Sequence, residues 1–316
     1  ARTMNADRIA PTAPSPARRT GRLGNHWRRD RLSGYAFVAP QFIGFLIFLG
    51  IPIALVIWYS LFDWNILRGT APFVGVENYQ RMAQDPLVWQ VLRNTFGFSV
   101  GLVPFNLALA LLLAVLVNQK LPGTTVFRTL FFAPVVVSLV AWAIVWQFLL
   151  QADGGINASL LSLGVDGPNW LRSTTWAMPA LVVVQVFKNV GLNMILFLAA
   201  LQAVPGEIQE AARVDGAGPL QTFRRITLPM IAPTVMLVSI ITVIGSFQVF
   251  ATIAVMTGGG PANSTNVLVH YVYQQAFSRY EAGYASAGAV VLFAIVLALT
   301  LLQWQMRKRW VFHEQS

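Results

Sequence analysis

The chain of 316 residues contains no cysteine, which excludes disulfides, thiolate metal sites and cysteine nucleophiles. Charge is also scarce, because Asp, Glu, Lys and Arg together make up 11% of the residues, against about 25% in an ordinary soluble domain. Hydrophobic residues reach 56% and the mean hydropathy is +0.60. This composition predicts a membrane protein rather than a soluble globular domain.

The apolar residues are gathered in six runs that are each long enough to cross a membrane. The first run is followed by Phe62, Asp63 and Trp64 rather than by a small-residue cleavage site, so we expect a retained helix and not a signal peptide. The sequence therefore predicts an all-α, polytopic membrane protein with six transmembrane helices. The runs cover residues 35–61, 94–118, 129–150, 177–203, 228–257 and 283–305.

Several activities need groups that these runs lack. All 12 acidic residues and all 3 histidines lie outside them, whereas proton-driven carriers commonly place such residues within the membrane. Intramembrane hydrolases need a nucleophile beside a base, and a nucleotide-binding loop would read G-x-x-x-x-G-K-[ST]; neither pattern occurs. We therefore expect no enzyme, and no cofactor or metal bound by this chain. If ATP drives it, a separate subunit binds the ATP.

Basic residues indicate orientation and domain organisation. Lys and Arg number 22 against 12 acids, a net charge of +10, which in a soluble protein would suggest nucleic acid. Here they cluster in residues 1–34 and in alternate loops, which predicts that these segments and both termini are cytoplasmic. We expect a disordered basic tail, residues 1–34, near anionic lipid, a transmembrane domain, 35–306, a C-terminal tail, 307–316, and no nucleic-acid partner. The clustered residues beyond the tail are Lys120, Arg128, Arg213, Arg224, Arg225, Arg307, Lys308 and Arg309.

Polar residues recur on one helix face in the fourth run. Lys188 lies about 15 Å into that run at 1.5 Å per residue, so its ammonium needs carbonyls, amides or a hydrated cavity. Hydroxyls and amides recognise neutral polyhydroxylated solutes, but they also hold helices together, and both interpretations stay open. The fourth run contributes Gln185, Lys188, Asn189 and Asn193, and the fifth adds Thr242, Gly245, Ser246 and Gln248.

A polar loop, residues 204–227, separates the fourth and fifth runs. Pro205 suits a first helical turn, the residues after it favour a helix, and Gly216 and Gly218 interrupt that helix before a second one at Pro219. We expect a helix, a glycine turn and a helix on the cytoplasmic face. Such a unit serves either as a lever docked in a partner or as an interfacial helix among the headgroups.

This loop resembles the signature loop of ABC importer permeases. The pattern E-A-A, three residues, G, nine residues, I-x-L-P is matched without a gap at Glu210, Ala211, Ala212, Gly216, Ile226, Leu228 and Pro229. The segments VENYQRM, LPGTTVFRTLFFAPVVVS, GLNMILFLAALQAVPGEIQEAA and SFQVFATIAVMTGGGPANST extend the resemblance over most of the chain after residue 35. Together they are similar to the carbohydrate, maltose-type branch of binding-protein-dependent permeases.

The resemblance implies partners and residue roles. The chain would pair with a second, homologous permease chain, two copies of an ATP-binding subunit that hold ATP and magnesium, and an extracytoplasmic solute-binding protein, in a bacterial-type cytoplasmic membrane. Residues 204–227 would be the coupling loop on the ATPase, and Glu210 would pair there with a basic residue. The coupling positions are Glu210, Ala211, Ala212, Asp215, Gly216 and Gly218. The spans flanking the loop would line the solute pathway.

The resemblance leaves two solute classes open. The resemblance implies a di- or oligosaccharide, but Lys188 and Leu192 stand where small or aromatic residues are expected, so an anionic solute such as a glycerol phosphate is the alternative. A stand-alone secondary carrier is a remote alternative, and an intramembrane enzyme or scaffold is a further one. Residues 257–277 are expected to form an outer lid, a contact for the binding protein, or a simple connecting hairpin.

Overall fold

A computed structural model describes residue 35, residues 37–119 and residues 123–310, with side chains as far as residue 306. The predicted disordered tail, residues 1–34, lies outside these residues. Within them the chain is helical, and extended pairing is limited to isolated bridges such as Phe62 with Phe73. The helices are α1 Phe37–Tyr59, α2 Glu77–Gln84, α3 Pro86–Val117, α4 Thr124–Val136, α5 Leu139–Leu149, α6 Gly155–Ser162, α7 Ala177–Gln202, α8 Gly206–Val214, α9 Pro219–Met230, α10 Ala232–Phe247, α11 Ala251–Met256, α12 Leu268–Tyr273 and α13 Ala282–Trp310.

The described residues contain four helices long and apolar enough to cross a membrane singly, namely α1, α3, α7 and α13. Two bent pairs would each make one further span: α4 and α5 meet at 104°, and α9 and α10 meet at 68°. The predicted all-α membrane fold is confirmed, and six spans result if each pair counts as one. The run predicted over 129–150 is thus a broken helix, and the run over 228–257 is divided at Ile231 and again after Phe247.

Proline lies beside both bends. Pro134 stands in the last turn of α4, and Val137 and Ser138 after it are extended, with ψ of 138° and 139°. Pro233 stands in the first turn of α10, just after the break at Ile231. Proline removes a backbone donor and clashes with the preceding turn. It does not always break a helix, however, since α3 continues without interruption through Pro104.

The two helices α3 and α7 form the centre of the unit that begins at Leu55. In the most apolar window of α7, 61% of residues are buried, against 28% in α3 and 17% in α13. One apolar cluster lies toward the start of α7 and the other toward its end. The first includes Phe98, Leu102, Leu181, Val184 and Ile253, and the second includes Ala110, Ala114, Met194, Phe197 and Val238.

Gly191 lets α7 approach α4 at backbone contact. A Cβ placed on Gly191 would lie 1.9 Å from the carbonyl oxygen of Phe131 and 2.7 Å from its carbonyl carbon. No side chain fits there unless the helices separate. This contact holds the bent α4–α5 pair against the polar face of α7.

The loop between α7 and α10 has the predicted arrangement of helix, glycine turn and helix. Gly216, which follows the C-cap Asp215 of α8, adopts φ of +80°, and the amide of Ala217 donates to the carbonyl of Ala212 at 2.9 Å, as in a Schellman ending. Gly218 then precedes Pro219, which opens α9. Because left-handed backbone is costly for residues with a Cβ, Gly216 fixes the point at which the chain turns.

Candidate functional site

Lys188 lies at the bend between α4 and α5. Its side chain is buried, 7% exposed, and Nζ donates to the carbonyls of Pro134 and Val137 at 2.5 Å each. Carbonyl groups at a helix end lack intrahelical partners, and in lipid surroundings each needs another donor. The sequence left open carbonyls, amides or a hydrated cavity as the surroundings of this ammonium. The structure shows two backbone carbonyls.

Replacing Lys188 with methionine tests whether the ammonium serves the bend or the solute. We expect Lys188→Met to insert but to melt at a lower temperature with or without solute, because two buried carbonyls lose their donor at a cost of about 1–3 kcal/mol each. Thermal unfolding of the purified complex measures this, with Lys188→Arg as the variant that keeps the donor. An unchanged melting temperature together with a weakened solute affinity would assign Lys188 to the pathway instead.

Asn193 is the centre of a buried amide and hydroxyl network. Its Nδ2 donates to Asn106 Oδ1 at 2.6 Å and to Thr242 Oγ1 at 3.1 Å. Asn106 Nδ2 donates to the carbonyl of Val186 at 3.2 Å, and Thr242 Oγ1 donates to the carbonyl of Val238 at 2.7 Å. The network therefore joins α3, α7 and α10 inside one chain.

Three further hydrogen bonds join other polar residues of these helices and of α11. The hydroxyls of Ser246 and Ser99 lie 2.7 Å apart. Thr252 Oγ1 donates to Gln185 Oε1 at 2.8 Å, and Gln185 Nε2 donates to Asn189 Oδ1 at 3.4 Å. The residues predicted to share a polar face are thus brought close together, but most of their polar atoms bind one another or the backbone.

Burial divides the predicted pathway residues into two groups. Gln185, Lys188, Asn193, Thr242 and Ser246 are buried. Asn189 is half-buried, while Gly245, Gln248 and Leu192 are exposed. Gln248 follows the end of α10, in the break before α11. The second group is the part of the face that remains open to a solute or to a partner chain.

Sequence reasoning missed the contribution of α3 to this site. Asn106 is fully buried and Ser99 is 7% exposed, and both bind residues of the predicted polar face. They are seven residues apart, so they share one face of a helix. That spacing of two polar residues in an otherwise apolar run was the signal available for finding them.

The predicted coupling residues surround the turn between α8 and α9. Ala211, Ala212 and Asp215 line a hollow of about 380 Å³ whose opposite wall includes Arg225. Glu210 is exposed and makes no hydrogen bond or ion pair with any residue that the structure describes. Gly216 and Gly218 shape the turn and contribute no side chain. The loop thus presents a small-residue surface beside an unpaired carboxylate.

Residues 257–277 are tied to the beginning of α3. Asn94 Nδ2 donates to the carbonyls of Asn263 and Asn266 at 2.7 and 3.0 Å, and the amide of Leu268 donates to Thr95 Oγ1 at 2.9 Å. The hydroxyls of Thr257 and Thr265 lie 2.8 Å apart. The segment is therefore folded, with internal contacts and contacts to α3, and we refer to it as the cover.

We expect His270 to make this cover sensitive to pH. It is buried, and its Nδ1 lies 2.9 Å from Asn266 Oδ1; burial lowers the pKa of His270 below the ordinary value of 6.5. The unfolded chain then binds the proton more readily than the folded one, so stability is retained above pH 6.5 and lost as the pH falls below it.

We expect the melting temperature of the purified protein to be lower at about pH 5.5 than at about pH 7.5. His270→Gln should reduce that difference, and an equal difference in the variant would contradict this account.

Comparison with known proteins supplies the family. Residues 106–311 match the profile described as "Binding-protein-dependent transport system inner membrane component". The chain is 36% identical over 295 residues to the probable ABC transporter permease protein YesP of Bacillus subtilis, covering 92% of this chain and 94% of that protein. It is also 36% identical to the lactose transport system permease protein LacF of Rhizobium radiobacter, covering 86% of this chain and 93% of LacF.

A solved structure agrees with the fold. The crystal structure of a bacterial ABC transporter involved in the import of the acidic polysaccharide alginate contains a chain that superposes with a TM-score of 0.79 at 26% identity. The match covers 92% of this chain and 99% of that one. Nearly the whole chain therefore shares its architecture with a permease of known structure.

Proposed function

Since this chain belongs to the family of binding-protein-dependent transport system inner membrane components, we propose that it forms one half of the translocation pathway of a sugar importer. It is a non-catalytic permease subunit of an ABC transporter. A second, homologous permease chain forms the other half, two copies of an ATP-binding subunit hold ATP and magnesium, and an extracytoplasmic binding protein delivers the solute. The pathway alternates between outward and inward access as the ATP-binding subunits close and open.

The loop of residues 204–227 is the observation that carries this proposal. Its seven matching positions fall on a helix, a glycine turn and a second helix that continues into α10 after a 68° bend. Movement of α8 against an ATPase is passed on through this turn to α10, and through the Asn193 network to α7. Small alanine side chains allow close approach, and the free Glu210 carboxylate offers a charge for pairing across the interface.

The solute contacts belong to the exposed part of the polar face. Asn189, Gln248 and the open surface beside Gly245 and Leu192 face the pathway, and the buried residues Gln185, Lys188, Asn193, Thr242 and Ser246 hold the helices that present them. Amide groups recognise the hydroxyls of a neutral sugar, and the Lys188 ammonium is already shared between two carbonyls. We therefore favour a di- or oligosaccharide over an anionic solute.

The membrane orientation completes the proposal. The protein lies in a bacterial-type cytoplasmic membrane with both termini, the coupling loop and the basic residues on the cytoplasmic side. Residues 1–34 and 307–316 form cytoplasmic tails on either side of the transmembrane domain, residues 35–306. The cover formed by residues 257–277 then lies on the outer side, within reach of the binding protein.

Solute-stimulated ATP hydrolysis by the reconstituted complex tests the solute class. We expect stimulation by a neutral di- or oligosaccharide together with the binding protein. Stimulation only by a glycerol phosphate or an acidic saccharide would establish the anionic alternative, and uptake by this chain alone without ATP would establish a secondary carrier.

Asn189→Ala should raise the apparent KM for the solute, whereas Gln202→Ala, which removes an exposed amide from the end of the same helix, should not.

A further inference from the structure

A second hollow lies behind the coupling loop, between α8 and the ends of α3 and α7. Its volume is about 480 Å³, within the usual range for small-molecule sites, and Val115, Leu201 and Phe223 give it apolar walls. Gln209 and Arg213 line it from α8, whereas Ala211, Ala212 and Asp215 line the first hollow, and Ala217 and Thr222 line both. The two hollows are therefore neighbours that different residues of α8 line.

The polar groups lining this second hollow are hydrogen-bond donors with few partners. Arg213, Gln209 and Thr227 make no side-chain hydrogen bond or ion pair with any residue that the structure describes. Thr227 is 6% exposed and lines the hollow. The polar lining residues are Asn118, Gln119, Gln209, Arg213, Thr222 and Thr227.

The charge balance of this hollow favours an anion. None of its described lining residues is acidic, and Arg213 supplies a full positive charge. The carboxyl-terminal ends of α3 and α7 each contribute about half a negative charge. At the end of α3, Arg128 Nη2 donates to the carbonyl oxygen of Val117 at 3.4 Å and offsets that charge. A guanidinium together with amides and hydroxyls is the donor set that binds phosphate oxygens.

We propose that this hollow binds a phosphate group, carried either by a small cytoplasmic phosphate ester or by the headgroup of an anionic lipid. Arg213 and Gln209, four residues apart on one face of α8, donate to the phosphate oxygens. The hydroxyl of Thr227 and the amide of Asn118 contact it from α9 and from the end of α3. The bound group thereby connects the coupling helix to the helices behind it.

This connection gives the site a regulatory consequence that rests on the function proposed above. If α8 moves as the ATP-binding subunits close, a ligand that ties α8 to α3 and α7 resists that movement. Occupancy should therefore lower solute-stimulated ATP hydrolysis without blocking assembly. Binding itself requires no transport, so the site and the transport function can fail separately.

Binding to the assembled transporter in lipid nanodiscs tests the site. In phosphatidylcholine nanodiscs, inorganic phosphate and a hexose 6-phosphate are titrated by calorimetry. In a parallel set, phosphatidylglycerol replaces part of the lipid, and the melting temperature of the transporter is measured. We expect Arg213→Gln to weaken binding by about 10-fold, as for the loss of a charged hydrogen bond, and Thr227→Val to weaken it less. Arg224→Gln removes the same charge from a second exposed arginine of the same loop, which does not line the hollow, and should leave binding unchanged.

Each outcome decides the proposal. Binding of the phosphate compounds that Arg213→Gln weakens and Arg224→Gln spares supports a small-molecule site. A thermal shift that appears only with phosphatidylglycerol, with the same dependence on Arg213, supports the headgroup. Equal effects of the two arginine variants, or no response to either source of phosphate, overturn the proposal even if transport is normal.

Discussion

Replacing Glu210 with alanine is expected to reduce ATP-coupled uptake sharply while leaving the protein inserted in the membrane. The carboxylate is exposed and unpaired among the described residues, and the proposed mechanism pairs it with a basic residue of the ATP-binding subunit. Truncating one partner of such a pair at an interface costs about 2–5 kcal/mol. The lower value corresponds to a loss of about thirtyfold, so uptake should fall at least that far.

Glu207 provides the matched control for this prediction. It is also an exposed acid of α8, one turn earlier in the helix, and it falls outside the signature pattern. Glu207→Ala should retain most of the uptake. The measurements are radiolabelled solute uptake and recovery of the ATP-binding subunit with the tagged chain. Normal uptake in Glu210→Ala, or equal losses in both variants, would remove Glu210 from the coupling mechanism.

Replacing Gly191 with alanine is expected to prevent the correct packing of α4 and α5. The added Cβ would lie 1.9 Å from a backbone oxygen, and backbone cannot rotate away as a side chain can. Overpacking in a well-packed core already costs about 1–3 kcal/mol where side chains can adjust. Separation of α4 from α7 would also move the carbonyls that Lys188 binds. We expect the yield of folded, monodisperse protein to fall about tenfold or more.

Gly97 offers the corresponding control. It lies inside α3, and a Cβ placed there meets no atom within 4 Å. Gly97→Ala should therefore fold normally, and alanine has a better helix propensity than glycine by about 1 kcal/mol. Size-exclusion profiles of the detergent-extracted proteins make the comparison. A normal profile for Gly191→Ala would show that α4 and α7 do not touch where the structure places them.

Much of this fold follows from local properties that the sequence displays directly. The apolar runs and the positions of Gly216, Gly218 and Pro219 depend on composition and backbone preference alone, and these correctly predict the helices and the turn of the coupling loop. The ends of the helices are harder to predict from the sequence. Asp85 caps α3, its Oδ1 accepting from the amide of Leu87 at 2.8 Å, so the helix begins at Pro86, well before the apolar run at residue 94.

The remainder depends on contacts between residues far apart in the chain. The sequence shows that Lys188 needs partners, but those partners are carbonyls more than 50 residues away, released by a bend whose angle no local pattern specifies. Likewise the spacing of Asn193 and Thr242 indicates polar faces, yet it does not reveal that Asn106 closes the network. Burial then separates the polar residues that bind one another from the exposed ones that our proposal assigns to the solute.

The association of this chain with an ATP-binding subunit is the central claim, and gentle purification of the tagged chain from its native membrane tests it most directly. Mass spectrometry of the purified material should identify a second six-span chain and an ATP-binding subunit. The ATP-binding subunit should be lost when Glu210, Ala211 and Ala212 are replaced together. Recovery of this chain alone, intact and active in transport, would contradict the account.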